Sequence, residues 1–263
     1  MNTETKIGFI GFGNMAQAMA KGLLLKQVIP ADRIFACAKN WDKLCRNAEQ
    51  MGIQPCHDVR ETVETADLLI VAVKPYLIQE VLEPVKELLQ GKILVSVAAG
   101  YLFDRYEEIL APGTHHMSTL PNTPVAVGEG VIICEQRHSL TEEEYALFEE
   151  LFSPIALVQP VETKQFGIAG TISGCGPAYT AMFIEALADA AVLHGVPREL
   201  SYRLASQMVV GTGKLQRVTG THPGVMKDAV CSPGGTTRVG VAKLEQKGFR
   251  SAVIDAIDAV MNR

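Results

Sequence analysis

The sequence predicts an α/β chain: a doubly wound, largely parallel sheet in the N-terminal part, followed by an all-helical C-terminal domain. Three observations predict it. Short apolar runs alternate with amphipathic segments over residues 6–159, the pattern of strands joined by helical crossovers. A glycine turn joins the first strand to the first helix. From about residue 163 the strand pattern stops and helical spacing continues to the C-terminus.

Residues 6–11 form an apolar run that ends in glycine, read as the first strand, and residues 14–26 carry Met15, Ala18, Met19, Gly22 and Leu23 on one helical face. Residues 33–37 read as a second strand, 41–51 as a helix stopped by Gly52, and the vicinity of Ile53 as a brief third strand. Residues 68–73 and 93–98 are continuous apolar runs, as expected of strands buried on both faces. Helices are expected at 76–89 and 102–110. Strands near the sheet edge are expected at 114–119 and 130–134, with His115-His116 read as ordinary strand-edge sequence. Thr141 and Glu144 have capping-box spacing ahead of a helix, and 155–159 reads as a last strand.

The expected domains are 1–162 and 163–263. Residues 176–194 carry only two charges, Glu185 and Asp189. A helix apolar nearly all round must be buried, and a domain of about 100 residues has little interior for it. The helical domain is therefore expected to mediate dimerisation. Ser173-Gly174-Cys175-Gly176-Pro177 reads as a glycine turn that opens this helix. Further helices are expected at 197–217, 234–248 and 249–261.

The net charge of −5 comes from interspersed acids and bases, which argues against nucleic acid as the partner. No apolar run approaches the roughly 18 to 20 residues of a membrane span, and no signal-peptide pattern is visible. The six cysteines contain no C-x-x-C pair, and the six histidines lack metal-ligand spacing. Reduced thiols and a cytoplasmic location are expected, with no metal and no membrane.

Gly11-Phe12-Gly13-Asn14-Met15-Ala16 fits G-x-G-x-x-A between strand and helix, the context of a Rossmann-type dinucleotide site. Gly11 permits the tight turn, Gly13 admits the pyrophosphate, and Ala16 allows close packing of helix on strand. An NAD-preferring site places an acid at the end of the second strand. Here that end reads Ala38-Lys39-Asn40, with no acid before Asp42. Lys39 and Asn40 suit a 2′-phosphate, so NADPH is the expected donor and NADH the alternative. Ala72-Val73-Lys74-Pro75 ends the fourth strand on the ligand edge. There Lys74 reads equally as a ribose or substrate contact and as a solvated lysine.

Ser232-Pro233-Gly234-Gly235-Thr236-Thr237 precedes an amphipathic helix. Unpaired N–H groups and three hydroxyls there would make a nest for a small carboxylate. The same run reads equally well as an ordinary helix N-cap.

Together these segments resemble the pyrroline-5-carboxylate reductase family. The likeness runs through Gly13-Asn14-Met15, Ala72-Val73-Lys74-Pro75, Leu120-Pro121-Asn122-Thr123-Pro124, Gly174-Cys175-Gly176-Pro177-Ala178-Tyr179 and His222-Pro223 to the highly specific 232–237 run. The family often has Ser where Cys175 stands and Arg where Ser118 stands. The resemblance implies a Rossmann domain followed by a helical domain that interlocks in a homodimer, within a larger homo-oligomer as the alternative. It implies an active site between domains that borrows residues from the neighbouring subunit. It implies reduction of pyrroline-5-carboxylate to L-proline by NADPH. By the same resemblance Ser232, Gly234, Gly235 and Thr236 hold the substrate carboxylate, and Thr237 hydrogen-bonds the ring nitrogen as the catalytic residue. A β-hydroxyacid dehydrogenase shares the Gly-Phe-Ile-Gly opening but needs a catalytic lysine, and residues 176–194 contain none. A non-catalytic dinucleotide sensor would have no use for the 232–237 nest.

Overall fold

In the computed structural model, which describes residues 4–263, the chain forms two compact units, one ending at Cys175 and one spanning Gly176–Arg263. The first is built on an eight-stranded sheet of order β3-β2-β1-β4-β5-β6-β7-β8. At its centre β1 (Ile7–Ile10) pairs in parallel with β2 (Ile34–Cys37) and β4 (Leu68–Val71). β3 (Gln54–Pro55) extends the sheet beyond β2, and β5 (Ile93–Ser96) and β6 (His115–Pro121) extend it beyond β4, all in parallel. Every residue of β1, β4 and β5 is buried, as their unbroken apolar runs require when helices cover both faces. The order reverses between β1 and β4, which opens a crevice at the carboxyl ends of those strands.

The parallel arrangement does not hold throughout. β7 (Gly130–Glu135) runs antiparallel to β6, and β8 (Ala156–Val161) runs parallel to β7. Residues 122–129, which include a 3-10 turn at Thr123–Val127, are too few for a crossover of about a dozen residues. The chain must double back.

Helix α1 (Asn14–Leu25) follows β1, α2 (Trp41–Met51) follows β2, and α3 (Val59–Thr65) follows β3. The expected helix over 76–89 is broken. A 3-10 turn at Pro75–Leu77 leads into α4 (Ile78–Leu82), and Glu83–Leu89 continues as 3-10 helix. Pro84 lacks the N–H that an α-helical ladder needs there. α5 (Phe103–Glu107) precedes β6. α6 (Glu142–Phe152) carries the expected capping box between Thr141 and Glu144.

His115 and His116 pair with Ile93 and Leu94 of β5 on one side, and β6 meets β7 only from Thr119 onward, so both stand where no second strand lies beside them. His115 Nδ1 meets Glu144 and His116 Nε2 meets Glu107, both at 2.7 Å. His116 is stacked on Phe103 with ring centroids 4.6 Å apart.

The second unit begins within α7 (Thr163–Leu193), a helix of 31 residues. The expected glycine turn at 173–177 is absent, and the helix runs straight through Pro177. α8 (Arg198–Thr219), α9 (Pro223–Ala229), α10 (Thr236–Gln246) and α11 (Phe249–Met261) follow. Among the residues of this unit only Ala188, Ser201 and Ala205 are buried. Met182 is 67% exposed, Leu193 84% and Val239 71%. The burial that its composition demands is not met within one chain. Among the described residues no helix is long and apolar enough to cross a membrane.

Burial pushes the His116 imidazole below its ordinary pKa, against the opposing pull of Glu107, and burial does the same to His138. Both groups take up a proton more readily in the unfolded chain. Their contribution is therefore complete above the ordinary value of about 6.5 and is lost as pH falls below it. The melting temperature should drop as pH is lowered from about 7.5 to 5.5. In His138→Phe, which retains a ring against Tyr145, the drop should be shallower.

Candidate functional site

One candidate site is the turn from β1 into α1. Gly11 has φ +91°, and its N–H donates to the Cys37 carbonyl at 3.0 Å, joining β1 to β2. A Cβ at Gly11 would stand 2.8 Å from Val73 Cγ1 and 2.9 Å from the Ala72 carbonyl oxygen. Both its backbone angle and its space demand glycine. Gly13 differs. It is the N-cap of α1 in extended backbone (φ −79°, ψ −168°), and a Cβ there would meet no protein atom within 4 Å. The space above it is open.

Helix α1 starts with no side-chain cap and no acid in its first turn. The amides around Asn14 and Met15 are thus left for an anion, and the helix dipole favours one. Gln17 Nε2 donates to the Phe12 carbonyl at 3.1 Å and steadies the turn.

Beside this turn lies a cavity of about 450 Å³ at the ends of β1, β2 and β4. Gly11, Ala38, Lys39 and Val73 line it, as do His57, Asp58, Leu77 and Glu80. The sequence reading did not single out these last four. A signal for one of them existed: Asp58 caps α3 by accepting from the Glu61 N–H at 2.9 Å, and Asp-x-x-Glu is a cap spacing. The His57 ring stacks on Trp41 with centroids 4.2 Å apart. No sequence signal marks Leu77 or Glu80.

Asn40 turns out to be the N-cap of α2, its Oδ1 accepting from the Lys43 N–H at 3.0 Å. That oxygen is engaged, so any anion contact from Asn40 falls to its amide nitrogen. Lys39 is exposed at the cavity wall. Ala72 donates its N–H to the Ile10 carbonyl at 2.8 Å. Lys74 and Pro75 open the 3-10 turn beyond β4, where the Lys74 carbonyl accepts from the Leu77 N–H at 2.9 Å. Cys37 also borders the cavity, but burial raises its thiol pKa, which leaves it a poor nucleophile. The bare helix start, the space over Gly13 and Lys39 at the wall fit a phosphorylated dinucleotide, with Asp58 and Glu80 also on that wall.

A second candidate site lies in the helical unit. Gly234 takes φ +70°, and Gly235 is the N-cap of α10 in extended backbone with no side-chain cap. The ordinary N-cap reading is therefore not what the 232–237 run does, because neither Ser232 nor a threonine caps the helix. A Cβ at Gly235 would stand 2.5 Å from Ser232 Oγ, so only glycine leaves the serine hydroxyl its place. The Gly235 N–H already donates to the Ser232 carbonyl at 2.9 Å. This corrects the expectation that this amide faces a ligand, and leaves the amides of Thr236 and Thr237. The first turn of α10 holds no acid. Arg238, which follows Thr237, adds positive charge. With the Lys227 ammonium bonded to its carboxylate, and with Arg238 nearby, Asp228 is held below the usual carboxylate range. Such a helix start can hold a small carboxylate and present a hydroxyl to the atom beside it. Among the described residues no cluster of His, Cys, Asp and Glu could hold a metal ion.

Gly11→Ala should lower stability by about 1–3 kcal/mol, since it strains both backbone and packing. Gly13→Ala should melt like the parent protein yet weaken dinucleotide binding roughly tenfold or more, measured by nucleotide fluorescence.

Residues 163–263 match the family model for pyrroline-5-carboxylate reductase dimerisation. Residues 6–100 match the model described as NADP oxidoreductase, coenzyme F420-dependent. The chain is 44% identical over 260 residues to the pyrroline-5-carboxylate reductase of Treponema pallidum, covering 97% of this chain and 98% of that one. It is 38% identical over 262 residues to that of Escherichia coli, covering 99% and 97%. Among solved structures, the Plasmodium falciparum pyrroline carboxylate reductase with NADP bound superposes with a TM-score of 0.87 at 30% identity, covering 98% of this chain and 96% of that one. The Coxiella burnetii pyrroline-5-carboxylate reductase does so with 0.86 at 31%, covering 100% and 97%.

Proposed function

This chain belongs to the pyrroline-5-carboxylate reductase family, and on that premise we propose how its own residues reduce L-1-pyrroline-5-carboxylate to L-proline with NADPH. The observation that carries the proposal is the start of α10, which begins on an extended glycine with neither a side-chain cap nor an acid in its first turn.

The substrate is a cyclic imine with one carboxylate. That carboxylate sits on the Thr236 and Thr237 amides and the Ser232 hydroxyl. Gly234 supplies the left-handed turn that aims them, and Gly235 supplies the missing side chain. Thr237 Oγ1 then meets the ring nitrogen, orients the ring and holds the proton on that nitrogen. A protonated imine accepts hydride far better than a neutral one, so a hydroxyl at this atom acts on the reacting bond itself.

NADPH, when bound, supplies the hydride. Its pyrophosphate is held at Gly11, Gly13, Asn14 and Met15, and its adenosine side in the cavity bordered by Ala38. Lys39 and the Asn40 amide nitrogen face the 2′-phosphate. Residues 72–75 flank the strand end where the reactive ring must lie, and there Lys74 is a ribose contact. Catalysis requires the carboxylate nest to meet a nicotinamide, that of its own chain or of a second copy.

The protein is a homo-oligomer through its dimerisation domain, and a homodimer is the assembly we propose, with functional domains 1–162 and 163–263. It is supported by the apolar surface that the helical unit leaves uncovered. The six free cysteines suit a reducing cytoplasm.

Purified protein given pyrroline-5-carboxylate should consume NADPH, followed by loss of nicotinamide absorbance; no consumption with NADPH or NADH would remove the assignment. Thr237→Ala should lower turnover about a hundredfold while changing NADPH affinity little. Equal losses in both would show that Thr237 does not act at the ring. Lys39→Ala should raise the NADPH dissociation constant about tenfold and leave that for NADH within about twofold.

A further inference from the structure

Pro177 lies inside α7. A proline has no N–H, so the carbonyl four residues earlier, that of Ser173, loses its helical partner. The protein supplies another. Asn122, just beyond β6, donates its Nδ2 to the Ser173 carbonyl at 3.0 Å.

Asn122 is buried, and each of its polar groups is engaged. Its N–H donates to the Val131 carbonyl at 3.1 Å, and its carbonyl accepts from the Val125 N–H at 3.2 Å. Its side-chain Oδ1 accepts from the Val131 N–H at 2.8 Å. That last bond fixes which way the amide faces, and leaves Nδ2 aimed at the helix. One turn back along α7, a Cβ on Gly170 would stand 2.3 Å from Leu120 Cδ1. The helix is thus seated on the end of β6 at two successive turns, and the second seat fills the gap that proline leaves. Two residues beyond Ser173 the first compact unit ends.

On the reading above, in which hydride delivery requires the 232–237 nest to meet the nicotinamide, we propose that Asn122 is a positioning residue for the reaction. Its amide replaces the bond that Pro177 forbids, and so fixes α7 where it leaves the first unit to carry the substrate-binding helices. An ordinary buried asparagine would hold its own loop. This one stands in for a missing backbone donor on another element, and the consequence can be separated by mutation.

Asn122→Asp keeps the acceptor for the Val131 N–H but sets an oxygen in place of the donor to Ser173, whereas Asn122→Ala removes both groups without adding a charge. Pro177→Ala restores the helical N–H and makes that donor redundant. Turnover, KM for pyrroline-5-carboxylate, NADPH affinity and melting temperature would be measured for the parent, N122D, N122A, P177A and the double variant N122A/P177A. The expected result is a roughly tenfold loss of turnover in both Asn122 variants with NADPH affinity within about twofold of the parent. In the P177A background the N122A loss should shrink below about threefold. Unchanged turnover in N122D overturns the proposal, as does an equal N122A loss in both backgrounds. Loss of NADPH binding in step with turnover also overturns it, because Asn122 would then serve the first unit's fold alone. If the parent protein fails to turn over the imine, the proposed function falls and takes this inference with it; if only the variants behave as the parent, the function stands and this inference falls.

Discussion

Backbone amides that the chain declines to cap are the constraint on which the rest of the structure depends. Four helices cover the first turn with a side-chain cap: Asn40 on α2, Asp58 on α3, Thr141 on α6 and His222 on α9; α4, α5 and α8 have no such cap but carry an acid there, Glu80, Asp104 and Glu199. α1 and α10 instead begin on extended glycines, Gly13 and Gly235, with neither a side-chain cap nor an acid in the first turn. An uncapped N-terminus costs about 1 kcal/mol of helix stability. On the proposed function, the return is a pair of anion sites whose donors are held in place before the ligand arrives. α11 also starts on a glycine, but Gly248 is left-handed (φ +75°), unlike the extended pair.

Much of this was legible in the sequence where one residue type has one physical use. Gly11 needs its positive φ, and the apolar runs of β1, β4 and β5 need burial on both faces. Thr141 and Glu144 can satisfy each other's backbone. Illegible features were those in which several elements share the cause. Neither the reversal of β7 nor the break at Pro84 shows in hydrophobic period. The continuity of α7 through Pro177 was hidden because Gly174, Gly176 and Pro177 locally spell a turn. What overrides that local preference is Asn122, 51 positions earlier in the chain than its partner Ser173. The cavity-lining Glu80 was missed for a simpler reason: one acid on a short helix carries no pattern.

Burial divides the molecule unevenly. The first unit contains two hydrophobic clusters, one including Phe9, Met19 and Phe148 and the other including Ile10, Leu69 and Tyr106. It also tolerates an interior carboxylate, because Glu135 accepts from the Phe103 N–H at 2.9 Å and the Thr163 hydroxyl at 2.8 Å. A buried charge persists only where such donors converge on it. Here it binds the first residue of α7 to β7, so the long helix is anchored at its start as well as at Ser173. The second unit has no comparable interior. Its helices meet around an apolar groove of about 590 Å³ bordered by Met182, Phe183, Phe249 and Val253.

The near-absence of buried side chains beyond Cys175 also has a meaning for how the enzyme comes into being. The sheet unit can consolidate during synthesis, while the ribosome is still delivering the helices. Those helices reach a dry interior only by meeting another chain, so mass action enters their stability. In the homodimer proposed above, catalytic competence would answer to how many copies the cell holds, and a freshly made chain would wait for company before it works.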